Sequence, residues 1–474
     1  MNLSISGIPG NALKPGFYGA YNTSGASGLG MYSQRLLIVA QMLATGTQAA
    51  LAPAQAFSSA EAATLWGAGS VAHQMVEAVI ATNRGLAPFV VGISDAGASV
   101  AATGSFQFAG TATASETLSF FIAGKRVDLG VQAGDIASTL ATRLTAAIQA
   151  RTELPLSAAS ATVFANLTAK NKGTCGNQIP LSVVGSVAGI TTTVNAMANG
   201  ATDPDIQAAL DAVTPSQFHV VALQFADSTS LGKVQTYLDL VSSGVELRPG
   251  RAFAAITGAA KNIATLVTLA NGLNHERDHI SYLPGSPTAP WVIAACVAGV
   301  VASQSDPAMP FSGRVLGSVV APPVALGLTR SEQETLMVNG VTPLESDPAG
   351  NVSIVRLVTT RTTTNGSQDL VLLDTNPIAI LDYFRQEVRA MYRRKYGESK
   401  LNPLTMVSVR QDAIGVAMDL EDLEILQKVE ECKNLFVLEA DPNVSGRILM
   451  KIPVPWVPGL HQAFAEFDLI NVSN

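Results

Sequence analysis

Two blocks of apolar runs alternating with helical stretches, separated by a long segment of different composition, constrain this chain more than any other feature. The first block holds an apolar run at 36–43, a helical stretch at 59–82 carrying Ala63, Trp66, Val76, Val79 and Ile80, and a second run at 88–93. Strand, helix, strand is the unit of a layered α/β fold, because parallel strands need a crossover and a helix supplies it. The same alternation returns at 218–225, where Leu231, Val234, Leu238 and Val241 then fall on one helix face. It continues through a strand at 252–256, a helix at 263–273, a strand at 280–283 and a helix at 291–303.

Between the blocks, over 95–204, the chain turns to Ala, Thr, Ser and Gly. Short strand-like runs at 106–108, 118–122, 126–131, 163–169, 179–184 and 190–194 are separated by turn residues. A single amphipathic helix interrupts them, with Ile136, Leu140, Leu144 and Ile148 at a spacing of four. The pattern predicts a β-rich domain inserted into a loop of the α/β domain, which succeeds where the loop ends are close and exposed. An inserted domain of this kind is expected to be dispensable for the fold of the core, with a short linker standing in for 96–203.

The last third is mixed. A strand is predicted at 352–360, then a helix at 378–396 with Leu381, Phe384, Val388, Met391 and Tyr392 on one side. Its other side carries Arg385, Arg389, Arg393, Arg394 and Lys395. An acidic helix at 420–433, with Glu421, Glu424, Glu430 and Glu431, and strand-like runs at 448–454 and 463–472 follow.

Composition removes several classes of function. Hydrophobic residues make up 47% and charged residues 14%, with a mean hydropathy of +0.29, which excludes a disordered chain. So little charge suggests that part of the surface is covered, most simply by another copy. A net charge of −7 supplies no basic footprint for nucleic acid. Cys175, Cys296 and Cys432 lie far apart, which fits free thiols in a reducing compartment. The apolar run at 291–302 is shorter than the ~18 residues that read as a membrane span, so no membrane insertion is expected. The run at 36–44 starts too late and lacks a basic lead, so no secretory leader is expected.

One motif with possible chemistry is His275-Glu-Arg-Asp-His279, which matches the zinc-protease pattern of two histidines on one helix face with a glutamate base. That pattern needs a helix through both histidines. Ser281, Tyr282 and Pro284 follow at once, so His279 is read as entering a strand, and both residues as bystanders that alanine can replace. Gly25, Gly28 and Gly30 precede a strand and do not form a dinucleotide loop. Arg356 and Arg361 have the charge to hold a phosphate but are read as salt-bridged or interface residues. No catalytic residue, metal or cofactor is expected, and the chain is not read as an enzyme.

Several segments carry a resemblance. KPGFY at 14–18 with LLIVAQML at 36–43, FQFAGTATASETLSFFIA at 106–123, LTAKNKG at 167–173, YLPGSPTAPW at 282–291 and NVSIVRLVTT at 351–360 occur together and in order. In this the chain resembles Mu-like contractile bacteriophage tail sheath proteins. The resemblance implies an α/β (mixed α+β) core built from both ends of the chain, an inserted β-rich outer domain and extended terminal strands. The divisions expected are an N-terminal arm at 1–22, core at 23–94, insertion at 95–204, core with a tube-proximal region at 205–455, and a C-terminal arm at 456–474.

The resemblance further implies six-subunit rings stacked around a tail tube, contracting to push the tube through a host envelope. Its partners are then copies of itself, the tail tube protein, and baseplate and tail terminator proteins, with assembly in the host cytoplasm and residence in the virion. Strand exchange between copies points to alternating terminal segments, with Leu3, Ile5, Phe467 and Leu469 as candidates. The basic face of Arg385, Arg389, Arg393 and Arg394 is the candidate tube contact. A bacteriocin or secretion-apparatus sheath, and a metabolic α/β enzyme with a β-rich insertion, are the alternatives.

Overall fold

A computed structural model describes Leu29 and residues 32–468. The chain opens with strand β1 (Leu36–Gln41), edge strand β2 (Ala54–Gln55), helices α1 (Ser59–Trp66) and α2 (Val71–Thr82), and strand β3 (Phe89–Ile93). Next come β4 (Thr103–Gly110), β5 (Glu116–Ile122), β6 (Lys125–Val131), α3 (Ala137–Gln149), β7 (Leu156–Ala161), β8 (Phe164–Ala169), β9 (Leu181–Val184) and β10 (Ile190–Ala198). Alternation resumes with α4 (Gln207–Val213), β11 (Val220–Leu223), α5 (Ser228–Ser242), β12 (Arg251–Ile256), α6 (Ile263–Leu273), β13 (Asp278–Tyr282) and α7 (Pro290–Ala302). Then follow α8 (Arg330–Val338), β14 (Thr342–Ser346), β15 (Val352–Ile354), the short hairpin β16 (Thr363–Thr364) and β17 (Ser367–Gln368), and α9 (Thr375–Tyr396). The last elements are α10 (Pro403–Asp422), α11 (Val429–Cys432), β18 (Val437–Ala440) and β19 (Ile448–Lys451).

The described residues fall into two compact units, Ser33–Asp382 with 458–468, and Tyr383–Val457 with Leu29 and Tyr32. The division falls inside α9, within the stretch expected to be one piece of core. In the larger unit an eight-stranded sheet runs in the order β15-β14-β13-β12-β11-β1-β3-β2. Its inner strands are parallel, and β2 and β15 close the two edges antiparallel. Every residue of β1 is buried, since both faces of the sheet are covered. Leu36, Ile38 and Ala40 join the apolar cluster on the side of α1, α2 and α7, while Leu37 and Val39 join the one on the side of α4, α5 and α6. Ser58, Ser70 and Asp227 cap α1, α2 and α5 by accepting from backbone amides in the first turn.

Residues 95–204 build two further sheets, β10-β4-β8-β7 and β6-β5-β9, with α3 packed on them. Phe120 meets Phe106 and Phe108 edge to face, with ring centroids 4.8 and 5.9 Å apart. Val100 and Ala201 exchange backbone hydrogen bonds of 3.0 and 3.2 Å at the base of the segment. Its apolar residues do not form a separate core. Phe106, Phe120, Leu140 and Leu144 belong to the same cluster as Trp66, Val71, Met75 and Trp291 of the α/β layer.

Two elements differ from the sequence expectation. The acidic helix at 420–433 is broken, because α10 ends at Asp422 and Glu424 and Lys428 take positive φ values of 59 and 54° before α11 begins. The strand expected at 463–472 is irregular over 463–468, and its remainder lies outside the described residues. A strand needs a ladder partner, and nothing among the described residues pairs with 463–468.

Candidate functional site

Open parallel sheets bind ligands in the crevice beyond the carboxyl ends of their strands, where strand order reverses. Here order reverses at β1, which lies between β11 and β3. The groups lining that crevice are Gln41 at the end of β1, Gln224 just after β11 and Asp95 just after β3. The inserted segment fills it. Gln41 Nε2 donates to Asp95 Oδ1 and to the Lys172 carbonyl, both at 2.7 Å. Gln224 Oε1 accepts from the Gln41 amide at 2.6 Å, and its Nε2 donates to Gln41 Oε1 at 2.5 Å. Asn171 donates to the Met42 carbonyl at 3.0 Å and accepts from the Val71 amide at 3.1 Å. The Lys172 amide donates to Asp95 Oδ2 at 3.0 Å, and Cys175 Sγ donates to Gln41 Oε1 at 3.1 Å. The hydrogen bonds a substrate would make are thus made by the chain itself. Burial pushes the Cys175 thiol up to about 12, so the one nucleophile here is held protonated.

The His275–His279 segment is not a zinc site. Asn274 adopts the left-handed conformation, φ 42°, and ends α6 ahead of both histidines, while His279 lies in β13. His279 is buried, stacks on Phe253 with ring centroids 4.5 Å apart, and bonds the Ala252 carbonyl through Nδ1 at 3.1 Å. Burial lowers its pKa to about 3, which keeps it neutral. His275 lies between two carboxylates, Nε2 to Asp239 Oδ1 and Nδ1 to Asp278 Oδ2, each at 3.1 Å. Burial opposes its charge, but the Asp278 and Asp239 carboxylates outweigh that and hold its pKa above 6.5. Asp278 is fully buried and accepts no well-directed hydrogen bond, so His275 is its countercharge. The reading of His275 as a bystander is therefore corrected. The neighbouring side chains are also engaged, Glu276 with Arg361 at 3.1 Å and Arg277 with both oxygens of Asp382 at 2.7 and 3.0 Å.

Arg356 is likewise paired, donating to both oxygens of Asp374 at 2.7 Å. Arg356 and Arg361 therefore serve as structural partners and not as a phosphate clamp. Gly25, Gly28 and Gly30, and the arm candidates Leu3, Ile5 and Leu469, lie outside the described residues. Phe467 is described and 93% exposed.

In the smaller unit, Arg385 and Arg389 are half-buried and engaged with neighbouring groups, whereas Arg393 and Arg394 are exposed. Lys395 pairs with Asp412 at 2.8 Å, which ties the end of α9 to α10. The acidic residues do not share one helix face: Glu421 accepts from the Val429 amide at 3.2 Å, and Glu430 pairs with Lys433. β18 and β19 form a two-stranded antiparallel hairpin whose Val437, Leu449 and Met450 are exposed.

Residues 199–360 match the model of the phage tail sheath protein central domain. Over 94% of its length the chain is 28% identical to the Mu-like prophage FluMu tail sheath protein of Haemophilus influenzae, and the match spans 95% of that relative. The chain is thus similar to phage tail sheath proteins over nearly its whole length. Among solved structures, the sheath tail protein Lin1278 of Listeria innocua superposes with a TM-score of 0.51 at 12% identity, over 91% of this chain and 94% of that one. A sheath complex of an extracellular contractile injection system, in its contracted state, superposes with a TM-score of 0.51 at 11% identity, over 96% and 98%. At such identities these structures establish the fold, a mixed α and β arrangement. Among the described residues, no helix is long and apolar enough to cross a membrane.

Proposed function

We propose that this chain is a tail sheath protein that polymerises as stacked six-membered rings around a tail tube and contracts to drive the tube through a host envelope for genome delivery. The observation that carries the reading is the match to a Mu-like prophage tail sheath protein over 94% of the chain. The filled crevice supports a non-enzymatic role, because it leaves no room where an α/β enzyme places its substrate. Assembly proceeds in the host cytoplasm, with the tail tube, baseplate and tail terminator proteins as partners, and the product resides in the virion. Contraction is a switch between two packings of one folded subunit and needs no nucleotide.

Rings and helices need heterologous contacts, in which one patch meets a different patch on the next copy. The β18–β19 hairpin supports strand addition as that contact. A two-stranded ribbon has two open edges and is marginal by itself, so a strand from a neighbour completes it. Terminal segments around Leu3, Ile5, Phe467 and Leu469 are the proposed donors. Electron microscopy of the purified protein tests the assembly: long tubes or cogwheel-like sleeves are expected, and discrete compact particles overturn it.

For the tube contact we retain the basic face of α9 and place its weight on Arg393 and Arg394, since Arg385 and Arg389 already have partners. A contact that must grip and then release is better made by exposed charge than by apolar burial. Arg393→Glu with Arg394→Glu is expected to abolish sleeves on tubes while empty sleeves still form. Wild-type tube binding is expected to weaken as salt rises, because exposed pairs are screened beyond ~8 Å at physiological ionic strength. Normal tube-bound tails in the double variant would refute this placement.

A further inference from the structure

We propose that His461 is a positioning residue: it pins the C-terminal segment at Asp374 of its own subunit, so that Phe464 and Phe467 leave from a fixed point to enter a second copy of the chain. The inference rests on the reading that terminal segments join neighbouring subunits.

Asp374 lies just ahead of α9 and is held by Arg356 through two bonds of 2.7 Å. His461 Nε2 approaches the same carboxylate, 3.4 Å from Oδ2, and the side chains of His461 and Asp374 are only 17% and 14% exposed. Nδ1 of the ring is buried without a hydrogen-bond partner. Burying an unpaired ring nitrogen is unfavourable, so the contact with Asp374 is what favours the ring here. Gly459 makes room for it. A Cβ at that position would stand 3.1 Å from His461 Nε2 and 3.2 Å from Pro310 Cβ. A larger residue would make the imidazole give by a few tenths of an ångström, lengthening a contact to the carboxylate that is already 3.4 Å.

The rest of the segment has the opposite character. Leu460 is 83% exposed, Phe464 90% and Phe467 93%. Bare apolar side chains concentrated on one short irregular segment mark a surface that a partner covers. Pinning the segment at its root restricts the volume those rings search, which lowers the entropy lost when they dock.

The test uses the full chain in three forms: His461→Ala, Gly459→Val, and Phe464→Ser with Phe467→Ser. All are expected to melt like the parent, because none removes a core side chain. In His461→Ala and Gly459→Val, amide hydrogen exchange over 458–463 is expected to quicken. The concentration for half-maximal sleeve formation is expected to rise about fivefold, the scale of one partly exposed polar contact. The paired serine variant is expected not to assemble. Wild-type exchange in both single variants, or quicker exchange with unchanged assembly, overturns the role of His461. Normal assembly of the paired serine variant instead overturns the underlying reading that this segment joins subunits.

Discussion

Replacing 96–203 with a short Gly/Ser linker is expected to leave an insoluble or unfolded chain, contrary to what the sequence layout suggested. The linker itself is not the difficulty, since the ends already meet at Val100 and Ala201 and closure entropy changes slowly with length. The difficulty is a shared core. Trp66, Val71 and Met75 are at most 2% exposed, in one apolar cluster with Phe106, Phe120, Leu140 and Leu144. Uncovering a large apolar side chain costs roughly 1.5–3 kcal/mol, so exposing several consumes a stability of about 5–15 kcal/mol. Polar groups are stranded as well. The Val71 amide loses Asn171, Gln41 loses the Lys172 carbonyl, and Glu77 loses Lys125, which it meets at 2.6 Å. Solubility and a circular-dichroism melt of the deletion variant measure the effect. A soluble product with a cooperative melt near that of the parent would show that the inserted segment is separable after all.

The second large effect is at His275. His275→Ala removes the countercharge of a fully buried carboxylate, Asp278, and is expected to destabilise the subunit by about 3–5 kcal/mol. Adding Asp278→Asn should recover part of that loss, because the double variant no longer buries an unpaired charge. Denaturant titration of the parent, the two single variants and the double variant measures the coupling. If the double variant is as unstable as the sum of the singles, the two groups do not interact.

The same pair sets a pH dependence. The His275 pKa is raised above 6.5 in the fold, against burial, by Asp278 and Asp239. Its contribution is fully present below the unfolded value and is lost as pH rises through the raised one. Burial raises the Asp278 pKa above 3.8, and His275 only partly opposes this. That group too makes stability fall as pH rises, over the interval between its unfolded and folded values. In His275→Ala the loss on the alkaline side of 6.5 should disappear.

These two corrections show where a sequence is legible. The apolar run of β1 announced a strand, because a short continuous run of apolar residues is a local property of composition. The same held for the break after α6. Ser281, Tyr282 and Pro284 deny a helix through His279, and the structure ends that helix at Asn274. The likeness to tail sheath proteins was also legible, since the segments that carry it are spread in order along the chain and the match to a tail sheath protein covers 94% of it.

The filled crevice was not legible. Gln41 bonds Gln224 and Lys172, which are 183 and 131 positions away, and Asn171 reaches back 100 positions to Val71. Nothing in the spacing of these residues marks them as neighbours, and each alone reads as an ordinary polar residue in a loop. The same limit hid the pairing of Arg356 with Asp374 and the partial burial of Arg385 and Arg389. Composition and periodicity determined which elements form and which faces they bury, because those depend on residues a few positions apart. Which polar groups satisfy one another, and whether an inserted segment stands apart or completes a core, was decided only by the tertiary structure. There, groups far apart in the chain are desolvated together, and a buried polar atom must find its partner wherever the fold has brought one.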